Sequence, residues 1–93
     1  MPDAFDVLRL VAKATGASPG GICAVSQKRS EAHARHLCWY LMHTSLGMRQ
    51  ADIGQWFSVD RRAVAYGIAR IEDLREDPTF DARLSEMERV LAA

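Results

Sequence analysis

Three side chains near the middle of the chain, Arg61, Arg62 and Tyr66, have the chemistry to read nucleic acid. A guanidinium group can donate two parallel hydrogen bonds to guanine O6 and N7 or to a phosphate. Both arginines directly follow Asp60, whose carboxylate can accept from the free N–H groups of a helix start. The spacing therefore predicts that these side chains lie on the first turns of a helix, where DNA-binding helices touch base edges.

The segment that must position them, residues 50–71, has the pattern of two helices joined by a tight turn. Apolar residues recur at helical spacing in each half, at Ile53 and Phe57 and then at Val64, Ile68 and Ile71. Residues 58–60 interrupt the pattern, and Gly54 leaves room for the second helix to approach. This is the layout of a helix-turn-helix, whose second helix enters the major groove of DNA. A helical hairpin with a solvated basic face would give the same pattern.

Further basic and polar residues lie where they could contact the DNA backbone. The connector 25–30 carries Lys28 and Arg29. We predict that the basic loop 26–30 holds the flank of the site by touching phosphates or the minor groove. An ordinary surface loop is the alternative. We predict further phosphate contacts by polar residues near two helix starts, namely Arg35, His36, Arg49 and Gln50.

The charges of the chain are unevenly distributed, although its net charge is zero. Residues 28–70 carry seven Lys and Arg side chains against three carboxylates, whereas residues 71–93 carry three Arg side chains against seven carboxylates. An excess of positive charge on one part of a small protein indicates that this part faces an anion. Chance clustering in a short chain is the alternative.

Length and residue types argue against several other classes of protein. With 93 residues, 48% of them apolar, the chain is expected to fold as one domain, residues 1–93. It shows no nucleophile–base set, no glycine-rich phosphate loop and no isolated acidic pair, so we expect no enzyme activity and no cofactor. We also expect no leader and no membrane span, and therefore a cytoplasmic, nucleoid-associated protein.

Histidine and cysteine, two residue types that bind metals, lack the spacing of a metal site. His33 and His36 lie close together on a predicted helix, but a zinc site needs paired ligands at two separated places. We therefore expect no metal. Cys23 and Cys38 have no C-x-x-C spacing, and we expect both to be reduced and buried.

The remaining helix signals predict an all-α fold, a compact bundle of about five to six helices that contains the helix-turn-helix. N-cap residues stand before most of the expected helices, at Asp3, Ser18, Ser30, Asp60 and Asp77. Gly16 is expected to end the first helix, and Gly47 to end a long helix that runs to about Leu46. Trp39 and Tyr40 are adjacent in that helix. At least one should pack against the terminal helices, and the other could form a partner surface.

Five short stretches carry a further signal: Gln27-Lys28-Arg29, Arg35-His36, Ile53-Gly54-Gln55-Trp56-Phe57, Asp60-Arg61-Arg62-Ala63-Val64 and Arg70-Ile71-Glu72-Asp73-Leu74. In this order they resemble parts of the C-terminal DNA-binding domain (domain IV) of the replication initiator DnaA. Those parts are a basic loop, a helix opening with arginine, an I-G-x-x-F helix and a D-H-T-T-V helix that runs into K-I-E-x-L. The resemblance is best over residues 26–91. It implies an all-helical fold related to the Trp-repressor helix-turn-helix, with duplex DNA as the ligand.

The resemblance also assigns roles to individual residues. The minor-groove contact of the basic loop falls on Lys28 or Arg29. The phosphate contact at the helix start falls on Arg35, followed by His36. The major-groove set falls on Asp60, Arg61, Arg62 and Ala63. Here Arg61-Arg62-Ala63 replaces the family's His-Thr-Thr, and arginine cannot reproduce threonine contacts with thymine methyl groups, so we expect a target site unlike the initiator's.

We therefore predict a stand-alone bacterial protein that binds specific duplex DNA sequences and regulates transcription, with helix 60–75 in the major groove. It lacks an ATPase module, so we expect that it does not initiate replication by itself. One form of the hypothesis is the DNA-binding subunit of an activator of phage-like or gene-transfer-agent genes. A small monomer suggests a further partner, which would be a homodimer mate, a second regulatory protein or RNA polymerase. The alternative is a protein-interaction module or a replication-control accessory protein that retains the fold.

Overall fold

The computed structural model describes residues 1–24 and 28–93, which form six α-helices and no β-strand. In chain order the helices are α1 Ala4–Thr15, α2 Pro19–Cys23, α3 Arg29–Thr44, α4 Gln50–Phe57, α5 Arg61–Leu74 and α6 Pro78–Ala92. The predicted all-α bundle of five to six helices is therefore confirmed. None of the helices in the described part of the chain has the length and apolar character that a membrane span requires.

Side chains immediately before four helices satisfy free backbone N–H groups of the first turn. The caps predicted at these places are confirmed, with Asp3 for α1, Ser18 for α2, Asp60 for α5 and Asp77 for α6. At α1 the cap is reinforced, because Asp6 accepts in return from the backbone N–H of Asp3 at 2.8 Å. The predicted stop at Gly16 is also confirmed, since its φ of 79° lies in the left-handed region that glycine favours.

Helix α3 begins and ends earlier than the sequence predicts. Its N-cap is Lys28, which makes no side-chain cap hydrogen bond, and Ser30 lies inside the first turn. The Lys28 carbonyl already accepts a helical hydrogen bond at 2.9 Å, so the predicted cap at Ser30 is wrong. The helix ends at Thr44, before the predicted end, although Gly47 has the expected positive φ of 71°. Residues 25–27, which include the first part of the predicted basic loop, lie outside the described residues.

Helix α3 lies at the centre of the fold, and other helices pack around it. Residues 37–42 of α3 are all buried, as expected for a helix surrounded on every side. Trp39 and Tyr40 are each only 4% exposed, so the prediction that one of them could form a partner surface is wrong. The two cysteines are free thiols, but only Cys38 is fully buried and Cys23 is half-buried.

Helix α5 packs directly against α3 through Gly67. A Cβ atom at this position would lie 2.6 Å from the Trp39 ring and 2.7 Å from the His36 ring, which is closer than van der Waals contact allows. Glycine therefore lets the two helix backbones approach. Arg62 and Tyr66 lie to one side of this contact on α5, and both residues are exposed.

A polar cluster joins α6 to the rest of the bundle. Arg75, whose side chain is only 19% exposed, donates to Asp81 at 2.5 Å. It also donates to the hydroxyl oxygens of Tyr40 and Ser85, each at 3.0 Å. Its Nη1 atom lies 3.1 Å from a carboxylate oxygen of Glu88. These five residues, the Arg75 cluster, tie α6 to α3 and to the end of α5.

Candidate nucleic-acid interface

The turn between α4 and α5 is defined by two backbone features. Ser58 has φ of 58° and ψ of 43°, the left-handed conformation that ends α4. The Val59 N–H then donates to the Gly54 carbonyl at 2.8 Å. A Cβ atom on Gly54 would lie 2.7 Å from the Val59 carbonyl oxygen, so glycine is needed for this close approach, as the sequence predicted. The turn thus determines where α5 begins relative to α4.

Asp60 both caps α5 and binds the guanidinium group of Arg62. Its Oδ1 atom accepts from the Arg62 backbone N–H at 2.7 Å. Its two carboxylate oxygens accept from Nε and Nη2 of Arg62 at 3.2 and 3.3 Å. The side-chain hydrogen bonds from Arg62, followed by the backbone one, hold the pKa of Asp60 below its ordinary value. The carboxylate therefore stays charged and orients the Arg62 fork at the helix start.

Arg61, the neighbouring arginine, differs from Arg62 in its surroundings. Within residues 1–24 and 28–93, no hydrogen bond or ion pair engages its guanidinium group, and the residue is exposed. Ala63 and Tyr66 are also exposed, Tyr66 to 61%. The first two turns of α5 thus present to solvent two guanidinium groups, a methyl group and a phenol. These are the donors and apolar groups with which helices read base edges.

The start of α4 carries two further predicted contacts. Arg49 is the N-cap residue, with a side chain 84% exposed and its Nε 3.1 Å from Asp52 Oδ2. Gln50 is the first helical residue and is half-buried. The N–H groups of a helix start lack helical acceptors and favour anions. Because the exposed Arg49–Asp52 pair is worth little in water, a phosphate could replace Asp52 at low cost.

A groove of about 460 Å³ lies between α3 and α5. Basic, imidazole and phenol groups line it, from Arg29, His33 and His36 of α3 and from Tyr66 and Arg70 of α5. The three residues of α3 are spaced at i, i+4 and i+7, and the two of α5 at i and i+4. Each set therefore lies on one face of its helix. The sequence predicted Arg29, His36 and Tyr66 as DNA contacts but missed His33 and Arg70. The helical spacing showed that these residues share a helix face with predicted contacts. The sequence did not show that the two faces lie side by side.

The surroundings of both histidines of the groove favour the neutral imidazole. Burial, followed by the charge of Arg70, lowers the pKa of His33. Burial also lowers the pKa of His36, with smaller contributions from His33, Arg35 and Arg70. The His36 ring meets the Tyr66 ring edge-on, with centroids 6.1 Å apart. The positive potential of the groove therefore comes from its arginines.

Arg35, predicted to contact phosphate, is instead buried. It is only 6% exposed, and its Nε atom donates to the Ile22 carbonyl at 2.8 Å. Its Nη2 atom donates to the carbonyls of Ala24 and Gly21. These acceptors lie in or directly after α2, so Arg35 holds α2 against α3. The guanidinium group is used inside the fold, and Arg35 leaves the set of candidate DNA contacts.

The structure brings most of the other predicted residues together in two groups. The first turn of α5 and its cap hold Asp60, Arg61, Arg62 and Ala63. The groove holds Arg29, His36 and Tyr66. Lys28, which is exposed, is the N-cap of α3 and directly precedes Arg29. Arg49 and Gln50 form a separate pair at the start of α4. Helix α5 therefore carries or adjoins nearly the whole predicted interface.

The comparison with known families agrees with this geometry. Residues 5–71 match the family model described as bacterial dnaA protein helix-turn-helix. The match covers more than two thirds of the chain, from α1 into the last turn of α5, and α6 lies beyond it. A helix-turn-helix of this type implies binding to double-stranded DNA, and the resemblance drawn from the sequence is confirmed. The chain belongs to the bacterial DnaA helix-turn-helix family.

Proposed function

We propose that this protein recognises specific sequences in duplex DNA and regulates transcription from the sites it binds. The observation that carries the proposal is the exposed start of α5, where the Arg61 guanidinium group meets no acceptor within the described residues. A helix-turn-helix places this part of its second helix against base edges in the major groove. An unpaired guanidinium group there has all its donors available for guanine.

The two arginines have different expected roles at the DNA. Arg61 can rotate to donate to guanine O6 and N7. Arg62 is already oriented by Asp60, so it loses less side-chain freedom when it binds a base or a phosphate. Ala63 and Tyr66 add a methyl group and an aromatic edge, which suit contact with thymine methyl groups. Together they favour a site that contains guanine.

Other residues are expected to fix the register of the protein on the duplex without reading sequence. Lys28, Arg29, His36, Arg49 and Gln50 are placed at the starts of α3 and α4 or in the groove beside α5. Contacts of this kind go mainly to phosphate oxygens and give binding its dependence on salt. We therefore expect the affinity for duplex DNA to fall steeply as salt is raised.

The regulatory role requires more DNA contact than one small helix-turn-helix gives. A single module of this size buries little surface on DNA, so tight binding calls for a homodimer, tandem sites or a second protein such as RNA polymerase. One form of the proposal is a DNA-binding subunit in an activator of phage-like or gene-transfer-agent genes. Such a role places the protein at the nucleoid, in the cytoplasm.

The test is the enrichment of bound sites from a random duplex library. Arg89→Ala is the matched control for Arg61→Ala, because Arg89 is also exposed but pairs with Glu86 on α6, outside the family match. We expect the wild type and Arg89→Ala to enrich the same motif, and Arg61→Ala to lose about tenfold or more of the preference for it. A wild type that enriches no motif, or an unchanged motif for Arg61→Ala, would contradict the proposal.

The regulatory part is tested separately by mapping bound sites in the cell of origin. We expect discrete sites upstream of a set of genes whose transcript levels change when the protein is removed. Bound sites spread evenly along the chromosome, with no change in transcripts, would leave the DNA binding intact and contradict a role in transcription.

A further inference from the structure

The groove between α3 and α5 collects positive charges that no described carboxylate neutralises. Arg29 and Arg70 both line it, and neither forms an ion pair within the described residues. Carboxylates on the same two helices are directed elsewhere. The Glu31 carboxylate lies against Gly21 of α2, and Glu72 accepts from Tyr40 on another face of α5. An arrangement of cations without counterions is suited to an anionic ligand.

The histidines of the groove face charged groups from several helices. His33 also borders a second groove, between α1 and α6, whose charged lining residues are Lys13, Arg83 and Glu86. Arg35 of α3 adds to the positive field at His36, and Arg70 of α5 acts on both imidazoles. Asp73, less than one turn after Arg70, forms no ion pair with it among the described contacts. Around both rings cations therefore outnumber the one lining carboxylate.

We propose that this groove binds a phosphate diester of the DNA backbone beside the recognition helix, and that His33 and His36 take up protons when it does. The inference rests on the proposed DNA-binding function and adds His33, Arg70 and a dependence on pH to it. Residues 62, 66 and 70 follow one another at i, i+4 and i+8 along α5. A helix whose first turn enters the major groove therefore brings Tyr66 and Arg70 towards the flanking backbone.

A bound phosphate opposes the effects that lower the pKa of the two histidines. In the free protein, burial and the neighbouring cations lower the pKa of both. A negative charge in the groove favours the imidazolium form, so both pKa values rise on binding. The complex then holds more protons than its free components, and by linkage the affinity increases as pH falls from about 7.5 to about 5.5. Asp60 stays ionised in this range because its own pKa is lowered.

The direct test is an NMR titration of the imidazole resonances, in the free protein and with a bound duplex. The chain has three histidines, and His43 is an internal control because its Nδ1 atom lies 2.9 Å from the Met48 carbonyl oxygen, away from the groove lining. We expect the duplex to raise the pKa of His33 and His36 and to leave the His43 resonances where they are. The Kd for the duplex should fall by about three- to tenfold from pH 7.5 to pH 5.5.

A double variant, His33→Gln with His36→Gln, tests whether the pH dependence comes from these rings. We expect its Kd to be nearly independent of pH, whereas the Kd of the wild type falls as the pH is lowered. A strong pH dependence that persists in this variant would overturn the inference. If the variant folds poorly, the wild-type NMR titration still decides the question.

A titration with inorganic phosphate distinguishes binding of the DNA backbone from binding of a free phosphate ion. We expect it to move the His33 and His36 resonances only at far higher concentration than the duplex does, because the duplex is also held by α5. If the duplex binds but leaves both pKa values unchanged, or if only inorganic phosphate changes them, the inference fails and the proposed function stands. If no duplex binds at any pH, the proposed function itself fails.

Discussion

Arg35 and Arg61 carry the same side chain and are used in opposite ways. Arg35 is 6% exposed and donates to three backbone carbonyls in and after α2. Arg61 is exposed, and its guanidinium group meets no acceptor in the described parts of the chain. A buried guanidinium group must be saturated with acceptors because its desolvation is costly, whereas an exposed one keeps its donors for a ligand. The acceptors within reach, rather than nearness to a helix start, therefore decide the role of each arginine.

Two other arginines lie between these extremes. Arg75 is mostly buried and joins the Arg75 cluster, while Arg62 is 88% exposed yet paired with Asp60. The series Arg35, Arg75, Arg62, Arg61 thus runs from a structural role towards a binding role. We expect the loss of stability on substitution to decrease along this series, and the loss of DNA binding to increase.

The largest loss of stability is expected for Arg35→Met. This substitution leaves three carbonyls near the end of α2 without their donor, and we expect the free energy of unfolding in urea to fall by about 3 kcal/mol. The same substitution at Arg61 should change it by less than about 0.5 kcal/mol, because that exposed side chain makes no hydrogen bond or ion pair with the described residues. Equal losses for the two variants would break the comparison.

A smaller loss is expected for Arg75→Met. Its carboxylate partners Asp81 and Glu88 are 45% and 31% exposed, so they can be hydrated when the arginine is removed. We expect a loss of about 2 kcal/mol, together with faster amide hydrogen exchange confined mainly to α6. The Kd for duplex DNA should stay within about twofold of the wild type, because α6 carries none of the proposed contacts. Unchanged exchange in α6 would show that the cluster does not hold this helix.

The smallest effect is expected for Asp60→Asn, which bears on Arg62. Asparagine keeps the N-cap, so the thermal midpoint should change little, but the ion pair with Arg62 is lost. Removing a carboxylate near the DNA backbone should tighten binding to unrelated duplexes by about threefold, whereas the preference for the selected site should fall because Arg62 is no longer oriented. The measurement is the ratio of the Kd for an unrelated duplex to the Kd for the selected site. An unchanged ratio would argue that Asp60 acts only as a cap.

The sequence predicted those parts of the fold that depend on neighbours along the chain. Asp60 and the N–H that it caps are two residues apart, and the close approach at Gly54 involves a turn that begins four residues later. Contacts between residues so close in the sequence can be predicted without knowing how the helices pack. Helix α5 and its exposed first turn could therefore be predicted in detail.

Apart from the local cap at Ser30, the predictions that failed depend on distant segments. Arg35 was assigned to phosphate because it stands near a helix start, but its acceptors lie 11 to 14 residues earlier, in or after α2. The groove with His33 and Arg70 needs the register of α5 on α3, which Gly67 sets through its contact with Trp39. No pattern within a single helix contains that information. The burial of both Trp39 and Tyr40 likewise follows from α3 being surrounded.

The central claim is that the start of α5 reads base edges in the major groove, and methylation interference at guanine N7 tests it most directly. N7 is exposed in the major groove and accepts from arginine forks, so methylation there removes the contact. We predict that methylating guanines within the selected site prevents wild-type binding, and that Arg61→Ala loses the interference at one of them. Undiminished binding to the methylated site, with loss of binding only when the minor groove is blocked, would contradict the account.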